Sequence, residues 1–151
     1  MACDADGAPL EVKEAVKSAF RYRRVNNKVI SEKISTTTKD YLVNTQDLNG
    51  VGITTGLTLS TIIAISSVAL GKPAITSMAV LGDVSIGGTI IKVEELANTL
   101  QVCLDSGAKK ILLPLTSAAD LGSVPPELVG SFNLIFYDSA EDAVFKALGV
   151  E

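Results

Sequence analysis

The chain has 151 residues, 47% of them hydrophobic, and a formal net charge of −4 from 13 basic against 17 acidic residues. That is enough for one ordinary core and too little for two, and the acidic balance argues against the domain as a whole being a nucleic-acid clamp. Histidine is absent, which excludes Ser-His-Asp and Cys-His catalysis and the usual His-based zinc sites, while Cys3 and Cys103 are too few for a disulfide framework or a four-thiolate site.

Met1–Leu10 is small, polar and Gly/Pro-containing, and reads as a linker or an expression-derived lead. A single domain is expected over 11–151. Asp4, Asp6 and Glu11 do not follow the basic-then-apolar order of a signal peptide, so a cytoplasmic protein is expected. Val12, Ala15, Val16, Ala19 and Phe20 recur at helical spacing and predict a first helix from Glu11 to about Arg24. Val29–Lys33 and Tyr41–Asn44 flank the polar Ser35–Thr38 stretch as two paired strands would. Asp47–Thr55, with Gly50, Gly52 and Gly56 in and beside it, reads as a glycine-rich loop feeding a long apolar helix.

That helix is expected over about Thr55–Leu70, apolar on nearly all faces and central, and closed by Gly71-Lys72-Pro73. Thr58, Ser60, Thr61, Ser66 and Ser67 interrupt it, so it reads as a buried helix of a soluble protein and not as a membrane span. Met78–Leu81 and Ile90–Val93 are strand-like runs around a tight turn or bulge at Gly82, Gly87 and Gly88. Val93, Leu96, Ala97, Leu100 and Leu104 make a second helical stripe ended by Ser106-Gly107-Ala108. Lys110–Leu113 reads as a short buried strand stopped by Pro114, with a short helix from Thr116 and a turn at Pro125-Pro126. Asn133–Tyr137 is the last strand, and Ser139 is placed to cap a helix over Ala140–Leu148 with Glu141 and Asp142 in its first turn. Strands alternating with helices over one core define an α/β, or layered α+β, class.

The chemistry open to these residues is narrow. Gly82–Gly88 lacks the spacing of either common phosphate loop and reads as a turn between strands. Asp83, Glu94 and Glu95 would coordinate a divalent ion only if they converge; exposed carboxylates at a strand end and a helix start are the commoner arrangement, and no metal or cofactor is expected in the domain. Lys13, Lys17, Arg21, Arg23, Arg24, Lys28, Lys33 and Lys39 gather eight basic residues before position 40, interleaved with Phe20 and Tyr22. Glu11, Glu14 and Glu32 dilute them, so a solvated or subunit-contact face is favoured over direct nucleic-acid contact through Arg21, Arg23, Arg24 and Lys28. A hydroxyl nucleophile activated by a lysine is what remains, and it requires a desolvated, neutral amine within hydrogen-bond reach of the hydroxyl.

Residues from about Gly52 to Leu148 resemble the proteolytic domain of the ATP-dependent Lon proteases, which use a Ser-Lys dyad and no histidine. The resemblance is carried by Gly71-Lys72-Pro73, by Ala79-Val80-Leu81-Gly82-Asp83-Val84-Ser85-Ile86 with Gly88, and by Gly107-Ala108-Lys109-Lys110-Ile111-Leu112-Leu113-Pro114; Asp120-Leu121 and Val124-Pro125 extend it. They match, in order, the family's G-N-P-like turn, T-G-E-I/V-S/T-L-x-G strand, G-I/V-K-x-V-I/L-I/L-P strand and D-L-x-x-I/V-P segment. The resemblance implies a Lon proteolytic-domain fold of the ribosomal protein S5 domain 2-like architecture.

The catalytic positions depart from the pattern. The lysine of G-G-I/L-K-E-K falls in Glu94-Glu95-Leu96-Ala97-Asn98-Thr99, where Ala97 takes the base position and cannot accept a proton. The nucleophile of G-P-S-A-G falls in Gly52-Ile53-Thr54-Thr55-Gly56, at Gly56 or at Thr54 depending on how the glycines are aligned, and neither is serine. Thr54 or Thr55 with Lys92 is the fallback for a relocated dyad.

A fuller resemblance, from Glu11 to the end, is to the C-terminal Lon-related domain of the BREX phage-defence family. It rests on Asp47–Ile53, Leu113–Asp120 and Lys146–Glu151. It implies an AAA+ ATPase region ahead of this domain, holding the ATP and magnesium that this domain lacks. It also implies partners in that region and in neighbouring subunits of a homo-oligomer, with DNA engaged through the parent assembly. A proteolytically inactive assembly or interaction domain is the expected function, and an ATP-dependent serine or threonine endopeptidase with a relocated dyad is the alternative.

Overall fold

The computed structural model describes residues 57–85 and 87–150. The helix of 11–24, the two strands of 29–33 and 41–44, the glycine-rich loop and the lead before them lie outside these residues.

Helix α1 spans Thr58–Leu70. Leu59, Ile62, Ile63 and Ser66 recur at the spacing that aligns one face, and all four are buried. The buried Ser66 hydroxyl satisfies itself by donating to the Ile62 carbonyl one turn back at 2.7 Å. Gly71 adopts the left-handed conformation at φ 64°, which brings the Lys72 N–H onto the Ser67 carbonyl and closes the last turn. Two details differ from expectation. Leu57 is the N-cap, so the helix begins three residues later than Thr55; and it is not enclosed all round, because Ala64 is exposed and Val68 is 74% exposed.

Strand β1 (Met78–Val80) pairs parallel with β4 (Lys110–Pro114), which pairs parallel with β5 (Asn133–Tyr137), so β4 is central. A central strand covered on both faces reads as an unbroken apolar run, and Ile111, Leu112, Leu113 and Pro114 are all buried. Between β1 and β4 the chain makes a separate antiparallel ribbon, β2 (Asp83–Val84) with β3 (Ile90–Ile91), and then helix α2 (Leu96–Asp105). The predicted strand 90–93 is therefore only two residues long. Its end is set by the Val93 N–H, which leaves the ribbon to bond the Ser117 hydroxyl at 3.1 Å.

A 3₁₀ helix over Leu115–Ser123 follows β4, then a one-turn helix α3 at Pro126–Val129, where a turn was expected. Proline fits the first helical position because its missing N–H would have no partner there. Helix α4 (Ala140–Leu148) closes the chain as predicted: Ser139 Oγ accepts from the Asp142 N–H at 3.1 Å, and Gly149 ends the helix at φ 61°.

Side-chain alternation sorts the core into two clusters. Met78, Val80, Leu112, Ile135 and Tyr137 face α1 and α4, which contribute Leu59, Ile62, Ile63, Ala143, Val144 and Ala147. Ala79, Leu81, Ile111, Leu113, Leu134 and Phe136 face the other way, onto Leu96, Leu100 and Cys103 of α2 and Leu128 of α3. The sheet is thus sandwiched between helices, with α1 and α2 on opposite faces. Ser139→Ala is expected to cost about 1 kcal/mol by freeing an N-terminal donor of α4, read as a lower midpoint in chemical denaturation with an unchanged slope.

Candidate functional site

Helix α1 packs on one face of the sheet and α2 on the other, and the start of α1 meets the ribbon. Asp83 of β2 accepts a hydrogen bond from the Leu59 N–H at 3.0 Å, so a carboxylate satisfies one of the unpaired donors of the first turn of α1. It is half-buried and engaged with the helix, unlike the exposed carboxylate expected at a strand end; Glu94 and Glu95 are exposed. Among the described residues no three acidic or thiol groups are placed to hold a metal ion.

Gly82 fixes this geometry. It sits at φ 83°, and a Cβ there would lie 2.3 Å from Pro114 Cγ, 2.6 Å from Tyr137 Oη and 3.0 Å from the Ile91 carbonyl. Only a residue without a side chain fits. Tyr137, buried at the end of β5, donates its hydroxyl to the Leu81 carbonyl at 2.7 Å and so ties β5 to the exit of β1. Burial pushes the Tyr137 phenol well above its ordinary range, and the Asp83 carboxylate adds to the shift, so the group stays a neutral donor and is not a base. Strands β2 and β3 pair antiparallel on either side of Gly87 and Gly88. Ser85 and Thr89 exchange bonds from Ser85 N to Thr89 O at 2.9 Å and from Thr89 N to Ser85 Oγ at 3.1 Å, and Gly88 N donates to Ser85 O at 3.0 Å. These three amides are spent within the turn and do not point at a ligand.

Ala97 lies on the first turn of α2, half-buried against the cluster of Val93, Leu96 and Leu100. Lys92, the fallback base, is held elsewhere: its Nζ is 3.5 Å from Asp120 Oδ2, and both side chains are substantially exposed. Lys146 donates to the Phe136 carbonyl at 2.6 Å and to Asp142 at 2.7 Å. Among the described residues no lysine amine is hydrogen-bonded to a hydroxyl. Thr54, Thr55 and Gly56, and the basic residues Arg21, Arg23, Arg24 and Lys28, lie outside the described residues.

Cys103 is buried on α2 and burial raises its thiol, which makes it unreactive and structural; Cys3 lies outside the described residues. Three residues of this region carry no sequence signal of their roles. Tyr137 meets a carbonyl 56 positions away, and Ser117, fully buried, meets an amide 24 positions away. Asp120 was legible only as part of a D-L motif, not as the partner of Lys92.

Glu95, the N-cap of α2, is left-handed at φ 48°. A residue with a Cβ is strained in that conformation.

Sequence comparison places the chain in a family at this point. Residues 11–150 match the C-terminal proteolytic domain of Lon protease (S16), and the chain belongs to that family. Its relatives include the Lon-like protease BrxL of Bacillus cereus (strain H3081.97), 62% identical over 141 residues, and that of Escherichia coli O9:H4 (strain HS), 40% identical over 144 residues. These alignments cover 93% and 95% of this chain but 21% of each relative, so the chain spans about a fifth of their length. The Lon protease of Paraburkholderia phytofirmans is 29% identical over 82 residues, 54% of this chain and 10% of that protein. The fold described above, helices on both faces of a small parallel sheet, is consistent with that family. No helix among the described residues is long and apolar enough to cross a membrane.

Gly82→Ala is expected to destabilise the domain by about 2–5 kcal/mol, from the left-handed backbone and from overpacking against Pro114 and Tyr137. A loss under about 1 kcal/mol in urea denaturation would contradict the close approach. Glu95→Gly removes the side-chain strain at the cost of backbone entropy, and is expected to leave stability unchanged or raised by up to about 1 kcal/mol; a clear loss would mean that the side chain's bond with Asn98, at 3.2 Å, outweighs the strain.

Proposed function

We propose that this chain is a Lon-type proteolytic domain that has lost peptide hydrolysis and serves assembly and interaction within a longer AAA+ ATPase of the BREX phage-defence type. The observation that carries the reading is Ala97: the position that the resemblance assigns to the general base holds a methyl group half-buried against Val93, Leu96 and Leu100. Acyl transfer by a Ser-Lys couple needs a neutral amine touching a hydroxyl, and misplacement of about 1 Å already costs on the order of a hundredfold in rate. Lys92 does not substitute, because its charge is balanced by Asp120 in solvent. The identity to the BrxL proteins over nearly the whole chain supports placing the domain at the end of an ATPase that holds ATP and magnesium in its own region, in the cytoplasm, with neighbouring subunits as its first partners.

A peptidase assay on the full-length parent with ATP is the direct test. No cleavage above background is expected, and Thr54→Ala and Thr55→Ala should leave the parent's ATPase rate and assembly size unchanged. Robust cleavage abolished by either substitution would establish the alternative, an endopeptidase with a relocated dyad. Ala97→Lys is expected to create no peptidase activity, since it restores a base without a serine, and to lower stability by introducing an amine beside Val93, Leu96 and Leu100. Removing the domain from the parent should reduce the assembly size in light scattering; an unchanged assembly would sink the assembly role.

A further inference from the structure

In sheets built of parallel strands, ligands meet the protein beyond the carboxyl ends of the strands. In this domain the carboxyl ends of β4 and β5, at Pro114 and Tyr137, open onto a cavity of about 200 Å³ lined by Ile90, Leu115, Thr116, Tyr137 and Asp138. Its walls are almost wholly apolar. Leu115 is 55% exposed, and Ile91, next to the lining residue Ile90, is 49% exposed, so the apolar surface continues out of the cavity. The volume suits one long side chain and falls short of the several hundred Å³ that a cofactor or drug-sized ligand fills.

The charge at this opening is one-sided. Asp138 is exposed, and among the described residues its carboxylate makes no ion pair or hydrogen bond; only its backbone N–H is engaged, with Asp142 at 3.3 Å. Of the neighbouring charges, Asp142 pairs with Lys146 and Asp120 with Lys92. The amino end of α4 follows Asp138 directly and favours a negative charge there, which accounts for its tolerance in the fold but leaves its charge available to a partner.

We propose that this opening docks one arginine or lysine side chain carried by a partner polypeptide other than this chain. The methylenes would lie along Ile90 and Leu115, with the cation at Asp138. Long basic side chains bury their stems against apolar surface while their heads stay in water. This inference goes beyond the loss of hydrolysis and does not depend on it.

The test is a titration of the ¹⁵N-labelled 151-residue chain with acetyl-Gly-Arg-Gly-amide, against the same peptide carrying norleucine or glutamate. Saturable amide shifts at Leu115, Thr116 and Asp138 are expected at about millimolar peptide. The arginine peptide should bind about threefold to fivefold more tightly than the norleucine one, the range of an exposed ion pair. Asp138→Asn should erase that preference while leaving the spectrum dispersed, and Thr116→Trp, which fills the opening, should abolish binding of both. Equal shifts with the glutamate peptide, no saturable shifts, or a preference that survives Asp138→Asn would each overturn the proposal. Concentration-dependent broadening of the same amides without peptide, lost in Asp138→Asn, would also overturn it by assigning the site to a second copy.

Discussion

The close approach at Gly82 is the constraint on which the site region depends. At this residue the chain leaves the parallel sheet for the ribbon, passing within van der Waals limits of Pro114 at the end of β4 and Tyr137 at the end of β5. The Tyr137 hydroxyl then pins the Leu81 carbonyl from the other side. A buried hydroxyl and carbonyl that satisfy each other avoid a desolvation penalty of about 1–3 kcal/mol for either one left alone, so the exit of β1 has one favourable position. With that position set, Asp83 falls beside the start of α1 and bonds the Leu59 amide. The ribbon, the three strands of the sheet and the first turn of the central helix are thereby held by a handful of atoms around one glycine.

Alanine at position 97 is consistent with this packing. A lysine able to act as a base must be stripped of water and kept neutral, a costly arrangement maintained only where catalysis requires it. Alanine at 97 carries none of that cost and adds apolar contact to the cluster around Leu96 and Leu100. The backbone at Glu95 is left-handed although the residue is not glycine. Backbone geometry is shared by everything packed against it, whereas a single side chain can be exchanged locally.

The element order from residue 58 onward was legible because local physics dominates there. Gly71 and Gly149 end helices, Ser139 begins one, and the continuous apolar run before Pro114 can only be a strand covered on both faces. The misjudged features share a different cause. The apolar residues on nearly all faces of α1 point to a buried, central helix, yet Val68 faces outward: periodicity is silent when most positions are hydrophobic. Asp83 was read as an exposed strand-end carboxylate because the amide that it accepts from is 24 positions earlier.

The candidate site divides in the same way. Which side chains are absent was settled by the sequence alone, since no histidine occurs anywhere and alanine occupies position 97; a missing functional group is missing in every conformation. Where the remaining groups point was decided by tertiary structure. Lys92 faces Asp120, Tyr137 faces Leu81 and Ser117 faces Val93 because the crossovers between parallel strands bring segments 24 to 56 residues apart into contact, and local sequence carries no record of such pairings.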